Sequence, residues 1–378
     1  MISTSVKWYR WFDKGLEDIN RRDLDSYETR KTLFTRLMVN GFNEQPVNAL
    51  VNDNGTVTLT LPADHGYSLH DVLALSGADE PGFNVEMRVI EVSGAKVKLS
   101  GPANLPSSTR GTIKAKRAPL GWEILFDNGS QFVLHSKAGG SQYYFVHTTD
   151  GRSFACEGMP TADAPSNVWY TRTSDGSEYN KSQYPSGYTS DWDLIGDSQL
   201  FYWFWGYHSQ DPWVSPAQWK SMMMFGRYNP VSAADPGHTL YVQYRYNDGI
   251  TIGFDNGPRT SGSSDASITV SRELSGAFAA EGVHVNLFTL GLDAYNAPVY
   301  FSNSTFAAPV YVNSATVGQR SSQSTNWGLR GTLPGIYCVP RTRTWSTFSN
   351  IQGLEGHVLL AASTERTYIA VDVIGPWR

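Results

Sequence analysis

Residues 200–213 read LFYWFWGYHSQDPW, and this segment constrains the fold more than any other part of the chain. Seven of its fourteen residues are aromatic, compared with 13% of the whole sequence. Its apolar run of eight residues is shorter than the roughly 20 that a bilayer-spanning helix needs. Alternate side chains of a strand point to opposite faces, and both faces here carry rings: Phe201, Trp203 and Trp205 on one, Tyr202 and Phe204 on the other. We therefore expect a central β-strand that is covered on both sides.

The composition is typical of a mainly β protein built from several domains. A length of 378 residues predicts about two to four domains, and 35 glycines and 19 prolines favour strands separated by turns. The formal net charge is -5 and no basic stripe is present, so no platform for nucleic acid is expected. The first 18 residues lack the apolar core of a secretory signal. Cys156 and Cys338 are too few for a disulfide framework, and we expect two buried thiols.

Residues 1–45 are expected to form a short N-terminal helical arm. Apolar residues at helical spacing predict a helix with one buried face, and Gly41 is a natural end to it: Tyr27, Leu33, Phe34, Leu37 and Met38. Charged residues, among them Arg30, fall mainly on the opposite face. The helix should therefore pack on the protein through a single stripe.

The segment before this helix, VKWYRWF, has too many rings for a stretch that cannot bury them alone. The candidate docking residues are Trp8, Tyr9, Trp11 and Phe12. Two interpretations are open. Either the rings pack against the protein's own β-domain, or the arm docks onto a partner subunit, because apolar surface of this kind is rarely left in water.

Three further regions read as β-structure. Residues 46–118 contain short alternating strands and predict a small β-barrel module, closed or sandwich-like. Residues 119–238 and 239–378 predict two β-sandwich-like domains, and the first contains a long polar loop from 161 to 193 that should wrap a surface or contact a neighbour. His65 and His70 have no partners at metal-ligand spacing, so we expect structural roles for both.

The sequence contains few reactive groups at catalytic spacing. The sequence has no phosphate-binding loop, no metalloprotease helix and no nucleophile elbow, and we predict no catalytic residues, no metal and no cofactor. The best carboxylate group is Asp191, Asp193 and Asp197, which keeps a hydrolase acting on a cell envelope open as an alternative. Turn capping next to Ser190 and Gly196 explains these residues more simply.

A second possible binding surface follows the aromatic strand. A sugar platform needs rings that are left exposed beside polar groups, and one nearby set meets this condition: Tyr207, His208, Gln210, Asp211 and Trp213. Stacking on sugar is weak, so such a site would depend on many copies of the protein. The hypothesis is a glycan or receptor contact.

Five stretches resemble structural proteins of tailed bacteriophages. LPADHGYSLHDVLALSGAD is similar to a small β-module of virion proteins, with Leu69-His70-Asp71 where that module often has Val-Gly-Asp. GWEILF and the later GDSQLFYWFW resemble an opening "GW" and a "GD.rtFY" motif of one phage family. LRGTLPGIYCVPR and IAVDVIGPWR resemble its "RG.LPGLY" and "D.tGPWR" tail. Together they span roughly residues 46–378.

The resemblance implies a non-enzymatic component of a tailed-phage virion, in the tail or baseplate. Its partners would be other virion proteins and copies of itself, in a cyclic homo-oligomer assembled in the host cytoplasm. Attachment at the neck or capsid exterior, and host-surface binding at the tail tip, are the alternatives. The resemblance supplies no catalytic residues. No membrane insertion is expected.

Overall fold

The computed structural model describes residues 1–19, 27–138, 143–149, 153–158, 168–170, 189–208, 218–243, 267–272, 278–288, 308–314, 328–338, 346–349, 353–363 and 368–378. The protein is mainly β, as predicted, and the described residues include one short α-helix, α1 (Tyr27–Phe34). The strands in the first part of the chain are β1 (Lys7–Arg10), β2 (Phe42–Pro46), β3 (Ala49–Asp53), β4 (Thr56–Thr60), β5 (Val72–Ala78), β6 (Glu86–Ser93), β7 (Lys96–Ser100), β8 (Gly111–Arg117), β9 (Trp122–Asp127), β10 (Gln131–Ser136), β11 (Tyr143–Thr148), β12 (Ser153–Glu157) and β13 (Val168–Tyr170).

The remaining strands belong to the second half of the chain. They are β14 (Thr189–Gly196), β15 (Leu200–His208), β16 (Gln218–Arg227), β17 (Asn229–Pro230), β18 (His238–Gln243), β19 (Ser267–Arg272), β20 (Phe278–Phe288), β21 (Ala308–Ser314), β22 (Gly328–Cys338), β23 (Ser346–Phe348), β24 (Leu359–Ser363) and β25 (Tyr368–Asp372). All the pairings among the described strands are antiparallel. They form three sheets of thirteen, seven and five strands.

The predicted helix is confirmed, and it is covered on more sides than expected. α1 continues into a π-helical turn, Thr35–Asn40, before the chain reverses at Gly41. The five apolar residues of the predicted stripe are all buried. Phe34 packs against Phe132 of the five-stranded sheet and also against Trp203 of the large sheet. Because the helix lies between two sheets, Arg30 is buried as well, so its placement on an outward face was wrong.

Residues 42–117 form a seven-stranded sheet with its own apolar core. The strand order is β2-β8-β5-β6-β7-β4-β3, and no closed barrel is formed by these residues. The expected barrel is corrected to an open sheet. One reason is that β2 carries a bulge between Phe42 and Gln45 and ends in Pro46, which has no N–H to donate. The other edge is occupied, because the Asn52 amide donates to the Ser107 carbonyl at 2.7 Å.

The aromatic strand β15 lies between β14 and β16 in the large sheet. Tyr202 and Phe204 share an apolar cluster with residues of β21, β22, β24 and β25. Phe201 and Trp203 belong to a second cluster with α1, β10 and β11. All four side chains are buried. The prediction of a central strand between two layers is confirmed.

The large sheet runs through both of the expected sandwich-like domains. Its order is β1-β14-β15-β16-β18-β19-β20-β21-β22-β25-β24-β23, with β17 paired to β22. The predicted division at residue 238 therefore falls inside one sheet, at the first residue of β18. The division at residue 118 coincides with the end of β8.

Candidate functional site

The N-terminal arm is part of the large sheet. β1 pairs antiparallel with β14, so that Trp8 lies opposite Ile195. Tyr9 is 2% exposed, and its hydroxyl donates to the Ala118 carbonyl at 2.6 Å. The half-buried Trp8 donates from Nε1 to Asp193 at 2.8 Å. For Trp8 and Tyr9 the structure agrees with packing against the protein's own β-domain, and Tyr9 has no surface to offer a partner.

Phe12 is the ring of this arm that faces solvent. Its side chain is 58% exposed, whereas that of Trp11 is half-buried. The Arg10 guanidinium lies 5.2 Å from the Phe12 ring and the Trp11 ring lies 5.2 Å away edge-on, so the exposed ring is supported from two sides. The docking prediction thus rests on Phe12, and Trp11 contacts the Phe12 ring.

A cluster of four buried charges joins this arm to the seven-stranded sheet. Arg10 donates to both Asp13, at 2.8 Å, and Asp71, at 3.1 Å. Arg117 pairs with the same two carboxylates and donates to the Gly66 carbonyl at 2.8 Å. Each side chain of the cluster is at most 9% exposed. Two cations and two anions therefore neutralise one another away from water, and removing one of them would cost about 3–5 kcal/mol.

Burial dominates the electrostatics of this cluster. It raises the pKa of the Asp71 carboxyl, and the guanidinium groups of Arg117 and Arg10 oppose that rise. Burial by itself lowers the pKa of Arg117, but the two neighbouring carboxylates outweigh it and leave the pKa above its ordinary value. The contacts give these groups a structural role.

Arg88 is a buried guanidinium that binds only backbone carbonyls. Its three nitrogens donate at 2.7 to 3.1 Å to oxygens from the arm, the seven-stranded sheet and the C-terminus: Ser3, Val6, His70, Val373 and Ile374. Five N–H donors thus meet five acceptors. Burial lowers the pKa of Arg88 to about 10, which leaves it charged at neutral pH.

Residues from three of the stretches that carry the phage resemblance come together in the fold. Asp197 holds the turn between β14 and β15, because its Oδ1 accepts from the amides of Gln199 and Leu200 at 2.7 and 2.8 Å. The Trp122 indole donates to the Asp197 carbonyl at 3.1 Å. Arg378 donates to the Asp197 carboxylate, also at 3.1 Å. The "GW" opening, the "GD" turn and the C-terminal arginine therefore meet at one point.

The two C-terminal motifs interlock beside this turn. The Tyr202 hydroxyl donates to the Pro334 carbonyl at 2.7 Å, and its ring lies 5.4 Å from that of Trp377. Trp377 donates from Nε1 to the Asp372 carbonyl at 2.9 Å. Gly335 has a φ of +70° and lies directly against the Trp377 indole, so any side chain there would overlap the ring. We name these contacts and those of Asp197 the C-terminal lock.

A second buried group fixes the start of the "RG.LPG.Y" motif. Arg330 donates to Asp235 at 2.8 Å, and the Tyr228 hydroxyl donates to the same carboxylate oxygen at 2.6 Å. Gly331 leaves no room for a side chain because the Asn229 carbonyl lies against it. Burial raises the pKa of Tyr228, so it stays a hydrogen-bond donor.

The other predicted site residues are only partly covered by the described residues. Tyr207 and His208 lie on β15, but their side chains are outside what the structure describes, and Gln210, Asp211 and Trp213 lie outside it entirely. Of the carboxylate group, Asp193 and Asp197 are buried in structural contacts, whereas the Asp191 side chain is not described. The glycan hypothesis stays a prediction.

Sequence reasoning missed the buried arginines, although a signal was present. Ile113, Ala115 and Arg117 alternate along β8, which puts Arg117 on the apolar face. Arg88 interrupts the apolar run of β6 between two buried residues. A charged residue at a core position of a strand indicates a buried partner.

Within the described residues, no group of three or more His, Cys, Asp or Glu side chains is placed to hold a metal ion. None of the described helices has the length and apolarity needed to cross a membrane. Cys156 is a buried free thiol, and burial raises its pKa to about 12. No protein-family model matches the chain, and no curated protein matches its sequence.

Proposed function

We propose that the protein is a non-enzymatic structural component of a tailed-bacteriophage virion, placed in the tail or baseplate. The observation that carries the proposal is the C-terminal lock. Four motif segments that are far apart in the sequence supply Trp122, Asp197 with Tyr202, Pro334 with Gly335, and Trp377 with Arg378 to one set of contacts. Chance matches to a family pattern would not be expected to contact one another.

The buried carboxylates support a structural use of these residues. Asp13 and Asp71 are paired with arginines, and Asp235 binds Arg330. Asp372 accepts from the amides of Ile374 and Gly375 at 3.0 to 3.1 Å and shapes the C-terminal turn. A carboxylate that transfers protons to a substrate must be able to contact the substrate. These four carboxylates instead bind groups inside the protein.

The way in which subunits would meet follows from the sheet edges. The outer edge of β1 is capped at its two ends, because the Arg10 amide donates to Asp13 and the Val6 carbonyl accepts from Arg88. The edges at β2 and β3 are interrupted by the bulge and by the 105–107 loop. Capped and bulged edges oppose strand addition. We therefore place the subunit contacts of this part of the protein on side-chain surfaces, with Phe12 as the described anchor.

The test is the composition of purified phage particles. Particles of the phage that encodes this chain should contain it at a fixed, multiple copy number by quantitative mass spectrometry. A gold-labelled antibody should mark the tail or baseplate in micrographs. Label at the neck or capsid exterior would move the proposal to that location, and particles without the chain would overturn it.

A further inference from the structure

The seven-stranded sheet is inserted into the rest of the protein through two adjacent crossings. The chain enters it at Gly41 and leaves it after Arg117, and Gly41 lies directly against the Arg117 carbonyl. After the exit, the Leu120 amide donates to the Leu37 carbonyl at 3.0 Å, so the outgoing segment runs beside the incoming one. Because the two crossings are adjacent, the sheet can rotate relative to the rest of the protein about an axis through them.

Both crossings contain a glycine in a conformation that other residues rarely adopt. Gly41 has φ +72° and ψ 176°, and Gly121 has φ +89° with open space around its missing side chain. An open groove of about 660 Å³ borders the incoming crossing, where Gly41 and Phe42 face Asp18 and Arg36. The groove leaves room for the sheet to move on that side.

The apolar core of the inserted sheet is self-contained. Fifteen buried residues, all between Leu50 and Ala115, form one cluster, and no described residue outside 42–117 belongs to it. Separation of the sheet would leave this core intact. The helix and the large sheet have two further clusters, and Phe42 at the incoming crossing is the described residue of 42–117 that belongs to one of them.

The contact surface between the inserted sheet and the rest, which we name the seam, is mainly polar. It includes the four-charge cluster, the carbonyls bound by Arg88, and the pairs Lys7–Glu86 at 3.0 Å and Lys14–Asp64 at 2.8 Å. The Tyr9 and Phe42 rings, 5.8 Å apart, add an apolar contact at its margin. Water can solvate charges and carbonyls when such a surface opens, so opening exposes little apolar area compared with unfolding either core.

We propose that residues 42–117 form a hinged module that swings away from the large sheet about the Gly41 and 118–121 crossings while both parts stay folded. Arg88 is the latch of the closed state, because it binds the arm, the module and the C-terminus at once. This inference does not depend on the virion role. It predicts a second conformation of the whole chain in which the residues of the seam are exposed to solvent.

The test measures one distance across the hinge in the full chain. Spin labels are attached to Asp53→Cys on the module and Val231→Cys on the large sheet, both exposed sites, with Cys156 and Cys338 changed to alanine. Pulsed dipolar spectroscopy then gives the distance distribution. Arg88→Met, which keeps an unbranched apolar stem but removes the donors, should raise the population of a second distance at least tenfold.

Lys98→Met is the matched control, because it removes an exposed cation of the same sheet whose Nζ pairs with Glu91 at 2.7 Å on the surface, away from the seam. Its distance distribution should equal that of the parent. An Arg88→Met variant with native circular dichroism and one unchanged distance would overturn the proposal. So would loss of the β-signal of the whole chain, since that outcome means that the module and the large sheet unfold as one unit.

Discussion

At the scale of single residues, His70 stands where the resembling phage module often has glycine. Its φ is +73°, in the left-handed region that costs a residue with a Cβ about 1–2 kcal/mol. We expect His70→Gly to be more stable than His70→Ala by about 1 kcal/mol, because both lose the imidazole and only glycine relieves the strain. Urea unfolding of the two variants measures the difference.

Leu69 provides the comparison for this prediction. It precedes His70 in the same turn and does not have a positive φ. Leu69→Ala should therefore be at least as stable as Leu69→Gly, the reverse of the order at His70. If alanine and glycine are equally stable at position 70, the backbone there is not strained.

His238 makes stability depend on pH. Burial lowers its pKa from 6.5 to about 3, and its Nδ1 lies 3.2 Å from the Pro236 carbonyl. Below pH 6.5 the imidazole of His238 binds a proton in the unfolded chain but stays neutral in the folded one. The free energy of unfolding therefore decreases as the pH falls from 6.5 toward 3. At pH 5 the loss from this one group is about 2 kcal/mol.

Replacement of the imidazole isolates this contribution. His238→Gln should be less stable than the parent at pH 7, since the ring stacks on Tyr143 at 3.9 Å. Its free energy of unfolding should nevertheless fall less between pH 7 and pH 5, by about 2 kcal/mol. Urea titrations at the two pH values test this, and parallel losses in both proteins would contradict it.

At the scale of elements, the C-terminal lock depends on a glycine for space as well as for conformation. Gly335→Ala should destabilise the protein by about 3 kcal/mol or more, because the new methyl group would overlap the Trp377 indole. Gly129→Ala is the matched control. It has a similar φ, +78°, but open space around it, so it should cost only about 1 kcal/mol.

Thermal unfolding followed by Trp fluorescence distinguishes the two alanine variants. The indole at position 377 is nearly buried, so release of the C-terminus should also shift the emission of Gly335→Ala toward that of an exposed ring. Equal melting temperatures would mean that the C-terminal segment can move aside at little cost. In that case the contacts of the C-terminal lock contribute little to stability.

The elements also differ in how far the sequence predicted them. α1 and β15 were predictable because period and burial agree: five apolar residues at helical spacing, and rings on both faces of one strand. The closed barrel was wrong because closure depends on whether β2 and β3 can pair. That is decided by a bulge and by the 105–107 loop, which leave no periodic signal.

At the scale of the whole molecule, substitution of Phe12 tests whether the protein self-associates through the arm. Deleting residues 1–20 would remove β1 and the buried Tyr9 and so damage the fold, whereas Phe12→Ser changes one exposed ring. If the arm carries subunit contacts, this variant should raise the dissociation constant for self-association by about tenfold or more, as expected for an aromatic anchor. Analytical ultracentrifugation gives the value.

Val231→Ser is the corresponding control. Val231 is also exposed, at 64%, and lies beside β17 rather than on the arm. It should leave self-association unchanged. Equal effects of the two substitutions, or none from Phe12→Ser, would remove the arm from the subunit interface.

The sequence by itself determined the β-class, the helix and the covered aromatic strand, because periodicity and residue type act over neighbouring positions. Tertiary structure alone decided that Arg88 binds five carbonyls, that Asp197 meets Arg378 across 181 residues of chain, and that Tyr9 lies inside. Such contacts depend on which distant segments the sheets bring together. Their free energy comes from ion pairs and hydrogen bonds that offset the cost of desolvation, and no local pattern records their partners.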